Sequence, residues 1–180
     1  MTTLALSART PRTRALGILL VVAAISLAAQ FAFPIPGTPV PLTLQPMLVV
    51  LAGLLLGPVD AAAAMTAYLL LGAAGLPVFT PFGAPGIARL LGPTGGYLLA
   101  YPVAAAVAGR LGFNRATYAA RALAAAAGMV VLYAGGLAQL TILVGFSAAA
   151  ILGAKYFVAA DAVKALVAAA LARPVRRASR

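Results

Sequence analysis

Two residues of this chain place chemistry where chemistry is costly. Asp161 and Lys164 lie in the run Ala159-Ala160-Asp161-Ala162-Val163-Lys164-Ala165-Leu166. Positions three apart on a helix share a face. A charge at the centre of a bilayer costs about 2.5 to 3.5 kcal/mol on insertion scales, so ionisable groups inside an apolar helix are functional candidates. One reading of the pair is structural, an ion pair locking helices together or a lysine that snorkels to the interface. The other is a polar clamp, whose carboxylate accepts N–H donors while its ammonium donates to a carbonyl or carboxylate. Spacing alone leaves both open.

The remaining polar residues narrow the chemistry. With no His, no Cys and two acids, Asp60 and Asp161, neither a metal site nor a two-carboxylate hydrolase can be assembled. An intramembrane enzyme using Asp161 as acid or base needs a second catalytic group, and only Lys164 is nearby. Gly92-Pro93-Thr94-Gly95-Gly96-Tyr97 precedes a helix, as phosphate loops do. It lacks the lysine and spacing of such a loop, and reads as a tight turn that lets helix and lid approach. Asp60 follows Gly57-Pro58 near a helix start, where the dipole accounts for it. Arg89 is either a solvated loop charge or a bidentate partner for a ligand carboxylate.

The elements that must position these residues are apolar. Hydrophobic residues make up 64% of the chain and charged residues 8%, roughly a third of the charge of a soluble domain. A spanning helix takes about 20 residues, so about six spans with short loops fill the length. The expectation is one all-α transmembrane domain, residues 1–180, with no separate soluble part. The spans are expected at 15–33, 45–56, 59–74, 96–111, 118–144 with a kink at Gly135-Gly136, and 157–172, with a short helix at 148–154. The first run also has the arginines and small residues of a signal peptide, but it stays apolar beyond Ser26-Leu27-Ala28 and reads as a retained anchor. Ala24, Ala28 and Ala32 form a small-xxx-small series suited to internal packing or to a partner.

Two segments between spans are unlike ordinary connections. Residues 34–41 alternate proline and cannot be helical; uncharged and flanked by apolar sequence, they read as a lid or re-entrant loop. Residues 75–95 form a long Gly/Pro-rich stretch holding Phe79, Phe82, Leu90 and Leu91, and read as an ordered functional loop.

The net charge of +11 does not mark a nucleic-acid binder, because the arginines cluster at the ends of apolar segments. Residues 1–14 carry Arg9, Arg12 and Arg14, residues 173–180 carry Arg173, Arg176, Arg177 and Arg180, and Arg110 and Arg115 flank the fourth-to-fifth turn. An even number of spans puts all of these on one side, which the positive-inside rule makes cytoplasmic. Both Pro/Gly loops, Arg89, Lys155 and the Asp161–Lys164 pair then fall in the outer half.

Three motifs give the chain a resemblance to the BioY family, the biotin-specific S components of energy-coupling factor (ECF) transporters. They are Val40-Pro41-Leu42-Thr43-Leu44-Gln45; Gly75-Leu76-Pro77-Val78-Phe79 with Leu91-Gly92-Pro93-Thr94-Gly95-Gly96-Tyr97-Leu98; and Asp161-x-x-Lys164. The resemblance runs from about Pro39 to Ala172. It implies a six-helix bundle in the cytoplasmic membrane of a prokaryote, an outer pocket covered by the two loops, and biotin as ligand. It also implies a transmembrane coupling protein and two cytoplasmic ATPases as partners, so that ATP hydrolysis lies outside a chain that needs no cofactor and is no enzyme. Carried over by motif, Asp161 and Lys164 contact biotin, with Thr43 and Gln45 from the first motif. Phe79 and Tyr97 are candidates to pack on its apolar ring and tail, and Arg89 to meet its carboxylate. A carrier that works without ATPase partners, alone or proton-coupled, is the competing reading. The chain departs from the family in two places. It has Tyr156-Phe157-Val158-Ala159-Ala160-Asp161 where Pro-Phe-x-x-Gly-Asp is usual, and it lacks an aromatic residue after Gly136.

Overall fold

The computed structural model describes residues 10–172. Arg9, Arg173, Arg176, Arg177 and Arg180 of the basic termini lie outside that range. Eight α-helices are described: α1 (Pro11–Gln30), α2 (Gln45–Leu56), α3 (Pro58–Ala73), α4 (Ile87–Leu91), α5 (Gly95–Gly112), α6 (Tyr118–Val144), α7 (Phe146–Ala150) and α8 (Val158–Leu171), with a π-helical turn at Ile151–Lys155. The six longer ones form the bundle. Of the described helices, α1 and α6 are each long and apolar enough to cross a bilayer by length and composition. The others are shorter, and α2 is continued outward by the non-helical residues before Gln45.

Local chemistry sets these limits. Thr10 caps α1 by accepting from the Thr13 amide at 3.3 Å, with Pro11 in the first turn, where the missing N–H costs nothing. Thr117 caps α6 in the same way through Ala120. Gly57, at φ 85°, separates α2 from α3, a conformation in which any Cβ would be strained. The proline loop is closed by paired backbone bonds between Phe33 and Leu42, at 2.9 and 2.8 Å. The long loop is ordered, as expected, but holds the short helix α4.

Helix α5 is central, packed most extensively on α6 and then on α3 and α2. Its core is built from small residues, with Ala104, Ala105 and Ala108 fully buried beside Ala61, Ala64 and Ala125. Small side chains let helix backbones approach when lipid supplies no hydrophobic drive between helices. Large apolar residues point outward, among them Leu19, Leu20, Leu27, Val130 and Ile142, as a lipid-facing surface requires.

Two expectations are corrected and a third is extended. At Gly135-Gly136, within the continuous helix α6, the expectation gains a packing reason. The two glycines serve close approach: a Cβ on Gly96 would lie 2.2 Å from the Gly135 carbonyl oxygen, and one on Gly136 would lie 2.2 Å from the Tyr97 ring. Asp60 is more than a dipole partner, since Arg14 binds it through Nε and Nη2 at 2.6 to 3.2 Å. That bond ties the start of α3 to α1. Finally, the alanine series is not one helical stripe. Ala32 lies beyond the end of α1, Ala24 is exposed and Ala28 is buried in the bundle.

Candidate ligand-binding site

A cavity opens at the end of the bundle that carries both Pro/Gly loops. Its empty volume, counted out into the solvent at its mouth, is about 700 Å³. Thr43 and Gln45 reach it from the start of α2, Phe79 from the loop after α3, Tyr97 and Tyr101 from α5, Tyr133 from α6, and Asp161 and Lys164 from α8. The chain thus brings together every ligand-site residue singled out above except Arg89.

The polar pole is built on Asp161. Lys164 Nζ donates to Oδ1 at 2.7 Å, and the two side chains are only 11% and 10% exposed. Tyr133 donates its hydroxyl to Oδ2 at 2.6 Å, so α6 and α8 are joined through the carboxylate. Asp161 stands in the first turn of α8, where the helix dipole favours negative charge. Its own amide donates to Phe157 O at 2.8 Å, so helical bonding reaches the acid without the proline and glycine usual in the family. Each carboxylate oxygen has two lone-pair sites and an ammonium has three hydrogens. The pair is therefore held in place while keeping acceptors and donors to spare.

Much of the remaining lining is aromatic. Tyr97 meets Tyr133 edge-on at 6.2 Å, and its hydroxyl donates to Gly153 O in the π-helical turn at 2.7 Å. Tyr68, fully buried, stacks with Tyr101 at 6.3 Å and meets Phe79 edge-on at 5.4 Å. Gln45 Nε2 donates to the Tyr68 hydroxyl at 2.8 Å, which donates to Val78 O at 3.1 Å. Thr43 Oγ1 accepts from the Gln45 amide at 3.3 Å, leaving its own hydrogen free for the cavity.

Arg89 sits elsewhere. It is buried rather than solvated, with Nε donating to Ala84 O at 3.1 Å and Nη2 to Thr80 O at 2.7 Å. It lines a second cavity between the two loops, which shares Pro41 and Thr94 with the first.

Residues 2–180 match the model of the BioY family. The chain belongs to the BioY family. It is 44% identical to a probable biotin transporter BioY of Pyrococcus horikoshii over 155 residues, 86% of this chain and 91% of the relative. It is 39% identical to the biotin transporter BioY of Thermotoga maritima, over 79% of this chain and 85% of that one. Among solved structures it is similar to an S-component for biotin from an ECF-type ABC transporter, with a TM-score of 0.80, 25% identity and 96% of each chain covered. As a BioY-family protein with the fold of an S component, the chain is a membrane protein of the cell membrane.

Several residues that hold the bundle and its cavity together escape a motif reading. Tyr133, Tyr68 and Tyr101 are tyrosines within apolar helices, and their signal is that intramembrane polar groups face the bundle interior. Gln139 Nε2 holds the α4 end by donating to Leu90 O and Gly92 O at 3.0 and 2.7 Å. Thr38 latches the proline loop to Leu152 O at 2.6 Å. Arg121, buried on α6, donates to Ala169 O at 2.9 Å and to Arg115 O and Ala116 O at 2.9 and 2.8 Å. It thereby satisfies one carbonyl at the end of α8, which a helix cannot bond within itself, and ties it to the turn before α6.

Proposed function

We propose that this protein captures biotin at the outer face of the cytoplasmic membrane and takes it up as the substrate-binding subunit of an ECF transporter. The observation that carries the reading is the pairing of Asp161 with Lys164 and Tyr133 at one pole of an otherwise aromatic and apolar cavity. Biotin presents complementary chemistry: a ureido group with two N–H donors and a carbonyl, an apolar thiolane ring, and a tail ending in a carboxylate. Asp161 accepts from the ureido group and Lys164 donates to an acceptor of the ligand. Phe79 and Tyr97 pack on the apolar part, and Thr43 and Gln45 complete the wall at α2. The tail passes Pro41 and Thr94, common to both cavities, and its carboxylate meets Arg89.

The charges at the cavity act in binding and the sequence carries no phosphate-handling motif, so energy is supplied by a transmembrane coupling protein and two ATPase subunits. In this arrangement both termini are cytoplasmic and residues 1–180 form a single transmembrane domain. Ala24, exposed on α1, belongs to a surface open to the coupling protein, while Ala28 packs into the bundle and Ala32 lies past the end of α1.

Isothermal titration of the purified protein tests the assignment. Wild type should bind biotin tightly, and Asp161→Asn or Lys164→Ala should each weaken binding by about 1.5 to 3 kcal/mol, the range for hydrogen bonds to charged groups. Absence of binding, or unchanged affinity in both variants, would overturn it.

A further inference from the structure

Gln45 is fixed in one of its two amide orientations by the groups behind it. Tyr68 has a single hydroxyl hydrogen, and the Val78 carbonyl can only accept. The 3.1 Å contact between them therefore uses that hydrogen. The Tyr68 oxygen is left as an acceptor toward Gln45, which must present Nε2 across the 2.8 Å contact. The side-chain carbonyl, Oε1, then points away from Tyr68.

Gln45 is 3% exposed, and among the described residues no side-chain nitrogen or oxygen is both buried and without a partner. No donor bonds Oε1 among those residues, so this atom borders open space. The open space beside Gln45 is the ligand cavity. The two oxygens of Asp161 already hold donors from Lys164 and Tyr133. Gln45 Oε1 is thus an acceptor facing the cavity with no protein donor of its own. A ligand that fills the cavity strips this acceptor of solvent, which is costly without a partner, and a ligand N–H seated on it avoids that cost.

We propose that Gln45 Oε1 accepts one N–H of the ligand's cyclic urea and selects for that donor, with Tyr68 as the positioning residue that fixes its orientation through Val78. This rests on the biotin reading and deepens it. A site built to pair a ligand N–H rejects an analogue lacking that N–H, because its own acceptor is left facing a mismatched atom.

The test is isothermal titration of the full chain in detergent, with biotin and with its two carbamate isosteres, in each of which one ureido N–H is replaced by oxygen. Wild type should disfavour the isostere altered on the α2 side by about tenfold or more. Gln45→Met should bind biotin about tenfold more weakly and lose that discrimination, while still rejecting the other isostere. Tyr68→Phe, a smaller change, should weaken biotin binding severalfold and blunt the same discrimination. Gln45→Met with wild-type affinity, or with full discrimination against both isosteres, would overturn the role of Gln45. Unchanged affinity and discrimination in Tyr68→Phe would overturn the orienting chain. Failure of wild type to bind biotin at all would instead overturn the reading beneath it.

Discussion

Tyr133 donates a 2.6 Å hydrogen bond to Asp161 Oδ2, joining the middle of α6 to the first turn of α8 across 28 residues of sequence. The bond settles the carboxylate on the oxygen that Lys164 leaves free. Tyr133→Phe keeps the ring and its edge-on contact with Tyr97 but removes that donor. Biotin affinity should fall about tenfold, as expected for a hydrogen bond to a charged acceptor. Titration that returns wild-type affinity would show that the carboxylate needs no second anchor.

The ion pair itself makes a prediction about stability. Both partners are nearly enclosed, and removing one member of a buried pair strands the other at a cost of about 3 to 5 kcal/mol. Asp161→Asn and Lys164→Met should each lower the melting temperature without ligand. The double variant should recover part of the loss, because no unpaired charge remains. Losses that simply add would mean that the two charges do not depend on each other.

Arg89 braces the loop, and the proposed contact with the ligand carboxylate would add recognition. Nε and Nη2 hold the loop carbonyls of Ala84 and Thr80, and the second cavity lies beside it. Wild type should prefer biotin to its neutral amide, and Arg89→Gln should reduce that preference. If the variant weakens both ligands equally, Arg89 acts on the loop alone.

The proposed orientation can be read by labelling. The chain has no cysteine, so single cysteines report without background. A cysteine at exposed Ser147 should react with a membrane-impermeant maleimide added to intact cells. One at exposed Arg115 should react only after the membrane is opened. The reverse pattern would invert the topology.

The bundle was legible in the sequence because bilayer thickness and apolar run length are both one-dimensional quantities. Asp161 and Lys164 were legible for a related reason: a pair three residues apart on an apolar helix is local, and its cost in a membrane makes it conspicuous. The glycines of α6 mark where local reading ends. Read locally, Gly135-Gly136 suggests only a kink; the fold shows that the pair also admits Gly96 and the Tyr97 ring from α5.

Tertiary structure alone decided which distant residues share the cavity. Tyr133 meets Asp161, Tyr68 accepts from Gln45, and Arg89 turns into the loops instead of the main cavity. Each depends on helix rotation and on the closeness of helix contact. Those are set by the summed packing of alanines and glycines on several helices, and no single segment of sequence carries them. Composition fixed where the few charges could be afforded; packing chose what they face.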